Sequence, residues 1–437
     1  MDKALGGDGQ QALGRGTIRT VIWHVMPLLL LAYLANYLDR INIGFAGVAL
    51  RHDLGLSATM FATGAGLFFV GYFLFEVPSN LVLERIGGRR WIARIMVSWG
   101  ILSAAMIFVR GPASFYGLRF LLGIAEAGFF PGILFYLVCW FPAVYRARMM
   151  GLFTLGIPLS TVIGAPLSGI LLGMSGVMGL PGWQWMFVLE GLPAVILGVV
   201  IYFHLPDKPA DAKWLTPAQK QWLQGALAAD PSQPRRSHLF ETFRAFYDPR
   251  VLAMCFIYLG NISANLSLAV FLPTIVASMG FSPFTTGLIV AIPSAVGVVG
   301  LLVIGWLSDH FGNHRLLLIC TLLIMAIGLG AAAGFGAAGA SLTGIVALCF
   351  AGIGIHGMKA PFWALAPLTL ASSATAGGIA WINSVGNLGG FFGPFVLGWL
   401  KDHYGGYQAG MYVLAGLQLA AFLAALALRP RRDNKTA

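Results

Sequence analysis

Twelve apolar runs follow one another along this chain, each long enough to cross a bilayer core of about 30 Å as a helix. Six lie between Val21 and Phe203 and six between Val251 and Leu428, with a polar stretch between the two sets. In lipid, backbone N–H and C=O groups must be satisfied within their own segment. The pattern therefore predicts an all-α membrane protein with 12 transmembrane helices. With 58% hydrophobic and 10% charged residues and a mean hydropathy of +0.81, the composition lies outside the range of soluble domains.

The runs repeat. ERIGGRR (Glu84 to Arg90) follows the second and DHFGNHR (Asp309 to Arg315) the eighth, 225 residues apart; GWQWMFVLEGL from Gly182 aligns with GYQAGMYVLAGL from Gly406 after a one-residue insertion, which again puts Val188 and Val413 225 apart. Two pseudo-symmetric six-helix bundles are expected, related by an axis along the membrane normal and binding their ligand between them at the midplane. The plan is a cytoplasmic tail (1–20), a first bundle (21–204), a cytoplasmic linker (205–248), a second bundle (249–428) and a second tail (429–437). In the linker, Thr216, Pro217 and Gln219 ahead of Trp222, Leu223, Ala226 and Leu227 form the pattern of a short capped surface helix.

The net charge of +11 reflects topology. With the N-terminus inside, 21 of the 27 Lys and Arg fall in tails and cytoplasmic loops, three in outer loops and three within helices. No basic run with interleaved aromatics points to nucleic acid. Cys139, Cys255, Cys320 and Cys349 all lie in apolar runs without CxxC spacing and read as packing residues. No metal-ligand set is present, and no catalytic cluster suggests an enzyme.

Charges inside the runs carry the functional signal, because a charge at the bilayer centre costs about 2.5–3.5 kcal/mol even on lenient scales. Three of them are basic: Arg40, Arg119 and Lys359. Arg119 and Glu126, seven apart, share one helix face. His356, Lys359 and Trp363 form one stripe, Asn383 with Asn387 and Asn261 with Asn265 are i, i+4 pairs, and Tyr72 lies near the centre of the second run with Glu76 one turn on. Asp39, Arg40 and Arg119 are expected about 8–14 Å to the outer side of their helix centres, with Glu126 deeper. Glu190 and His24 read as structural, and Gly164, Pro166 and Gly169 as packing and bending positions.

Along nearly its whole length the chain resembles the major facilitator superfamily. The resemblance rests on the six-plus-six pattern and on the loop motif GxxxDRxGRR, which here runs from Asn80 to Arg89 and from Gly305 to His314. It implies a gating latch at Glu84, Arg85, Arg89, Asp309 and Arg315. YLDRINIGFA (from Tyr37), FEVPSNLVLERIG (from Phe75), RFLLGIAEAGFFPG (from Arg119) and INSVGNLGGFFGP (from Ile382) resemble more narrowly the anion:cation symporter branch, with its tartrate, phthalate and hydroxyphenylacetate permeases. That branch implies proton coupling and carboxylate binding at Asp39, Arg40, Arg119 and Glu126.

The resulting expectation is a monomeric inner-membrane symporter with both termini cytoplasmic. It imports a small organic acid anion with protons, uses no cofactor, and binds through Arg40, Arg119, Tyr72, Lys359, His356, Trp363, Asn383, Asn387, Asn261 and Asn265. Asp39, Arg40, Arg119, Glu126 and Lys359 sum to +1 when both acids are ionised and +3 when both are protonated, so protonation and anion binding favour each other. The favoured cargo is a hydroxylated dicarboxylate such as tartrate, the alternative a sugar-acid or aromatic monocarboxylate. Arg119 with Gly123, and the GAP sequence at Gly164, also fit drug/proton antiporters, but three deep cations are unsuited to cationic drugs.

Overall fold

The computed structural model describes residues 7–154, 156–229, 248–337, 341–369 and 375–428, and among these no strand occurs. In the N-terminal half the helices are α1 (Gly7–Leu54), α2 (Ala58–Ile86), α3 (Gly88–Ala104), α4 (Pro112–Glu126), α5 (Phe129–Trp140), α6 (Ala143–Thr154), α7 (Gly156–Leu172) and α8 (Gly182–His204). The linker contributes α9 (Pro217–Ala228), capped as expected: Thr216 Oγ1 accepts from Gln219 N and Gln219 Oε1 from Thr216 N. The C-terminal half holds α10 (Pro249–Ala277), α11 (Pro283–Phe311), α12 (His314–Ala337), α13 (Ser341–Gly357), α14 (Lys359–Thr369), α15 (Thr375–Asn387), α16 (Gly389–Tyr404) and α17 (Gln408–Ala427).

Among the described residues, 11 helical stretches are long and apolar enough to cross a membrane, several of them built from two helices in series. The remaining expected span, near residues 376–400, is the pair α15 and α16 on either side of Leu388. The repeat is visible in the turns: Gly87 (φ 100°) ends α2 and Gly312 (φ 63°) ends α11, 225 residues apart, each in a backbone conformation that favours glycine.

One boundary differs from expectation. Most of the segment read as a tail (1–20) is helix, because α1 starts at Gly7 and runs without a break for 48 residues. Its extension is held by the linker: Ile18 and Val21 share a buried cluster with Leu215, Leu223 and Leu227. Residues 1–6, most of the second linker half (230–247) and the C-terminal tail (429–437) lie outside the described residues.

The two halves are sealed at the end opposite the linker. A Cβ added to Gly44 would stand 2.0 Å from the Ala269 carbonyl oxygen, and one on Gly398 would stand 2.7 Å from that of Ala58, so the backbones touch across the interface. Such close approach supplies the dispersion contacts that hold helices together in lipid, where apolar burial drives little. The core follows: Ile43, Phe61 and Phe187 of the first half join one apolar cluster with Val270, Phe271 and Met411 of the second.

Asp402, at the end of α16 beyond its apolar run, completes the seal. Its carboxylate accepts from Ala58 N (3.0 Å), Thr59 N (2.7 Å) and Thr59 Oγ1 (2.6 Å), capping a helix of the other half. Burial raises the carboxyl pKa, but the bonds from Thr59 and Ala58 outweigh it and hold it at about 2. A depressed value means that the cap is intact above the ordinary carboxylate range and is lost only as pH falls towards 2. The seal is therefore constant across physiological pH. Asp402→Ala removes a cap worth ~1 kcal/mol, so the population open at this end rises about fivefold. Thiol labelling of a cysteine placed at Phe45 measures it; unchanged labelling refutes the cap's role.

Candidate functional site

Between the halves lies a cavity lined by Tyr33, Tyr37, Arg40 and Tyr72 from the first half and Tyr258, Asn265, Lys359, Asn383 and Asn387 from the second. A neighbouring lobe shares Tyr37, Arg40 and Asn265 and reaches His356. Tyr33, Tyr37 and Arg40 stand at i, i+4 and i+7, one stripe of α1 facing this space. Asp39, about 100° round the helix from Arg40, faces away into the bundle, where it accepts from Ser103 Oγ and from Asn42 Nδ2.

Arg40 does not wait for a ligand alone. Its Nε and Nη2 both donate to Glu126 Oε1, and its guanidinium lies 5.1 Å from the Tyr72 ring centre and 5.5 Å from that of Phe68. The separate outer anion site and deeper acid expected from helix depths are thus one site: the long side chain of Arg40 closes the difference. Glu126 is wholly buried, and its second oxygen, Oε2, has no hydrogen-bond partner.

Backbone geometry explains Glu126's position. It is the last residue of α4; Ala127 (ψ 132°) and Gly128 (φ 87°) break the helix before α5 begins. Pro131 lacks the N–H that would bond the Ala127 carbonyl, and that oxygen instead accepts from Ser79 Oγ at 2.6 Å, with Trp91 Nε1 donating in turn to Ser79. A carboxylate at a helix C-terminus opposes the dipole, which Arg40 offsets. The tenth span repeats the device: α13 ends at Gly357, Pro361 follows four residues on, and Lys359 opens α14 at the cavity.

Lys359 forms no ion pair with any described carboxylate. Arg119, 2% exposed, does not line either lobe; it lies 5.1 Å from the Phe68 ring centre, donates weakly to the Ala65 carbonyl (3.5 Å), and its Nε and Nη1 donate to nothing. Asn261 also stands off the cavity, donating to the Ile355 carbonyl at 3.0 Å, and Trp363 packs edge-on against Tyr258 from behind. Tyr33, Tyr37 and Tyr258 were not singled out from sequence, although the Tyr33, Tyr37, Arg40 spacing carries the signal. Glu76 was noted but given no role; it accepts from Asn383 Nδ2 (3.5 Å) and Ser384 Oγ (3.3 Å) across the halves.

Among the described residues, the loop residues bond to the linker or within their own half. Arg89 pairs with Asp207 at 3.3 Å, while Arg315 donates to the Ala425 and Leu426 carbonyls. Arg85 and Asp309 are exposed, and the side chain of Glu84 lies outside what is described. Glu190, read from sequence as structural near a helix end, is buried at 3% exposure and accepts from Ser168 Oγ.

Two six-helix halves around a central polar cavity, sealed at one end, define a multi-pass membrane transporter for a small molecule. The chain belongs to the Major Facilitator Superfamily, whose family model matches residues 29–394 and 254–437. It is 45% identical over 96% of its length, and 97% of the relative's, to a protein of Agrobacterium vitis named "Putative tartrate transporter". It is 41% identical to the quinolone resistance transporter of Acinetobacter baumannii, over 93% of each chain. The relative named for tartrate agrees with the branch that the sequence motifs resemble. Among solved structures, a D-xylose-proton symporter superposes with TM-score 0.76 at 16% identity, over 95% of this chain and 100% of that one, which shows the shared fold.

Proposed function

We propose that the protein imports a small organic acid anion together with protons, by alternating access of its two halves, with a hydroxylated dicarboxylate such as tartrate as cargo. The observation that carries this reading is the unpaired Lys359 facing Arg40 across a cavity rich in tyrosine hydroxyls and asparagine amides. One substrate carboxylate takes Lys359. The other takes Arg40 from Glu126, which accepts a proton as it lets go; hydroxyls between them meet Asn265, Asn383 and Asn387. Asp39 is the second proton-coupling residue, Arg119 supports the electrostatics behind Phe68, and the loops bearing Glu84, Arg85, Arg89, Asp309 and Arg315 latch the linker end in the opposite state.

The test is flux into liposomes holding purified protein under an inward proton gradient. Tartrate accumulates and the accumulation collapses with a protonophore; accumulation that survives the protonophore refutes proton coupling. The quinolone resistance relative supports a second reading, efflux of an aromatic carboxylic acid, which the same vesicles test by reversing the gradient. The inner membrane is the proposed location, with linker and termini cytoplasmic. Cysteines at Lys208 and Lys401 then label from opposite sides; labelling of both from one side refutes the topology.

A further inference from the structure

On the face of α1 turned away from the cavity, Asp39 and Asn42 meet Ser103 of α3, Ser168 of α7 and Glu190 of α8, all of them buried. Asn42 Nδ2 donates to Asp39 Oδ1 at 3.0 Å, as does Ser103 Oγ, and Ser168 Oγ donates to Glu190 Oε1 at 2.8 Å. Gly191, next to Glu190, packs on Ser103, where an added Cβ would stand 3.2 Å from the Ser103 Cβ, so α8 brings Glu190 to the helix junction that holds Asp39. Three oxygens remain with no donor: Asp39 Oδ2, Asn42 Oδ1 and Glu190 Oε2.

Two carboxylates and an amide oxygen, enclosed by helices within the membrane and short of donors, are heavily penalised unless a positive charge joins them. The charged groups facing this cluster are Arg119 and Glu126 of α4, which act on Asp39 through space, while Glu190 faces Asp39 itself. Arg119 makes its own hydrogen bond elsewhere, to Ala65, and does not satisfy these oxygens.

We propose that Asp39, Asn42 and Glu190 enclose a site for one monovalent cation, a proton shared by the two carboxylates or a sodium ion, separate from the Arg40–Glu126 pair. Its role in coupling rests on the transport reading above; its existence does not. Adjacent positions on α1 then carry the two ligands, cation behind Asp39 and anion before Arg40, so that a rotation of one helix links them.

Infrared difference spectra of the full-length protein in lipid, without organic acid, test the site directly. Acid titration of the wild type gives a protonated-carboxyl band that Asp39→Asn and Glu190→Gln each remove or shift, since both groups hold the one proton. Sodium added at fixed pH abolishes that band if sodium is the occupant and leaves it unchanged if a proton is. A band untouched by Glu190→Gln, with no sodium effect, overturns the proposal. Where Glu190→Gln fails to insert, Ser168→Ala keeps both acids and removes one donor; it shifts the band, and an unshifted band overturns the proposal equally. In the transport assay, loss of one coupled cation lowers accumulation about tenfold for each unit of pH, or each decade of sodium, in the driving gradient.

Discussion

Lys359→Gln is expected to lose a dicarboxylate while keeping its monocarboxylate analogue. A buried charge contact that is truncated costs about 2–5 kcal/mol, a fall in affinity of about 30-fold to several thousand-fold. The analogue, with one carboxylate on Arg40, never used the ammonium and loses little. Binding of tartrate and of its monocarboxylate analogue to the purified variant checks this. Equal loss of both refutes a clamp built from the two halves.

Glu126→Gln is expected to separate exchange from accumulation. Glutamine fixes the neutral state in which Arg40 is released to the substrate, and it cannot return a proton. Counterflow of labelled tartrate continues, whereas a proton gradient no longer concentrates it. If the variant still accumulates tartrate against its gradient, Glu126 is not the coupling acid. Glu126→Ala is harsher: it leaves Arg40 without a carboxylate, and breaking a buried pair costs about 3–5 kcal/mol.

Much of this arrangement is legible in the sequence. The apolar runs give the helices, and the offset between Gly87 and Gly312 gives the repeat. Polar residues on runs otherwise apolar give part of the cavity wall, among them Arg40, Tyr72, Lys359 and Asn387. Pairing is not legible, because it depends on how helices are rotated about their axes. Arg119 shares a helix with Glu126, yet Arg40, 86 residues away, takes it. Likewise, Asp39 and Arg40 are neighbours in the chain but point to different sides of α1. Glu190 looked peripheral because depth along one helix says nothing of what the next helix places beside it. The break after Glu126 had a readable cause in Gly128 and Pro131, one that apolar counting passes over.

The length of α1 has a mechanical consequence. At about 1.5 Å per residue its 48 residues form a rod of about 72 Å, roughly twice what a bilayer requires. About two-thirds of the way along it carries Asp39 and Arg40; near its N-terminal tip Gly14 lies so close to Trp222 of α9 that an added Cβ would stand 2.5 Å from the ring. His24 stacks on Trp214 of the linker at 4.3 Å between ring centres. A tilt of about 10° about the middle of such a rod sweeps its tip through about 6 Å, with Pro27 the one proline at which it can bend. The linker is thus packed on the helix that holds the charges, and under the proposed mechanism a tilt of α1 that follows a change of partner at Arg40 would displace Trp214 and Trp222.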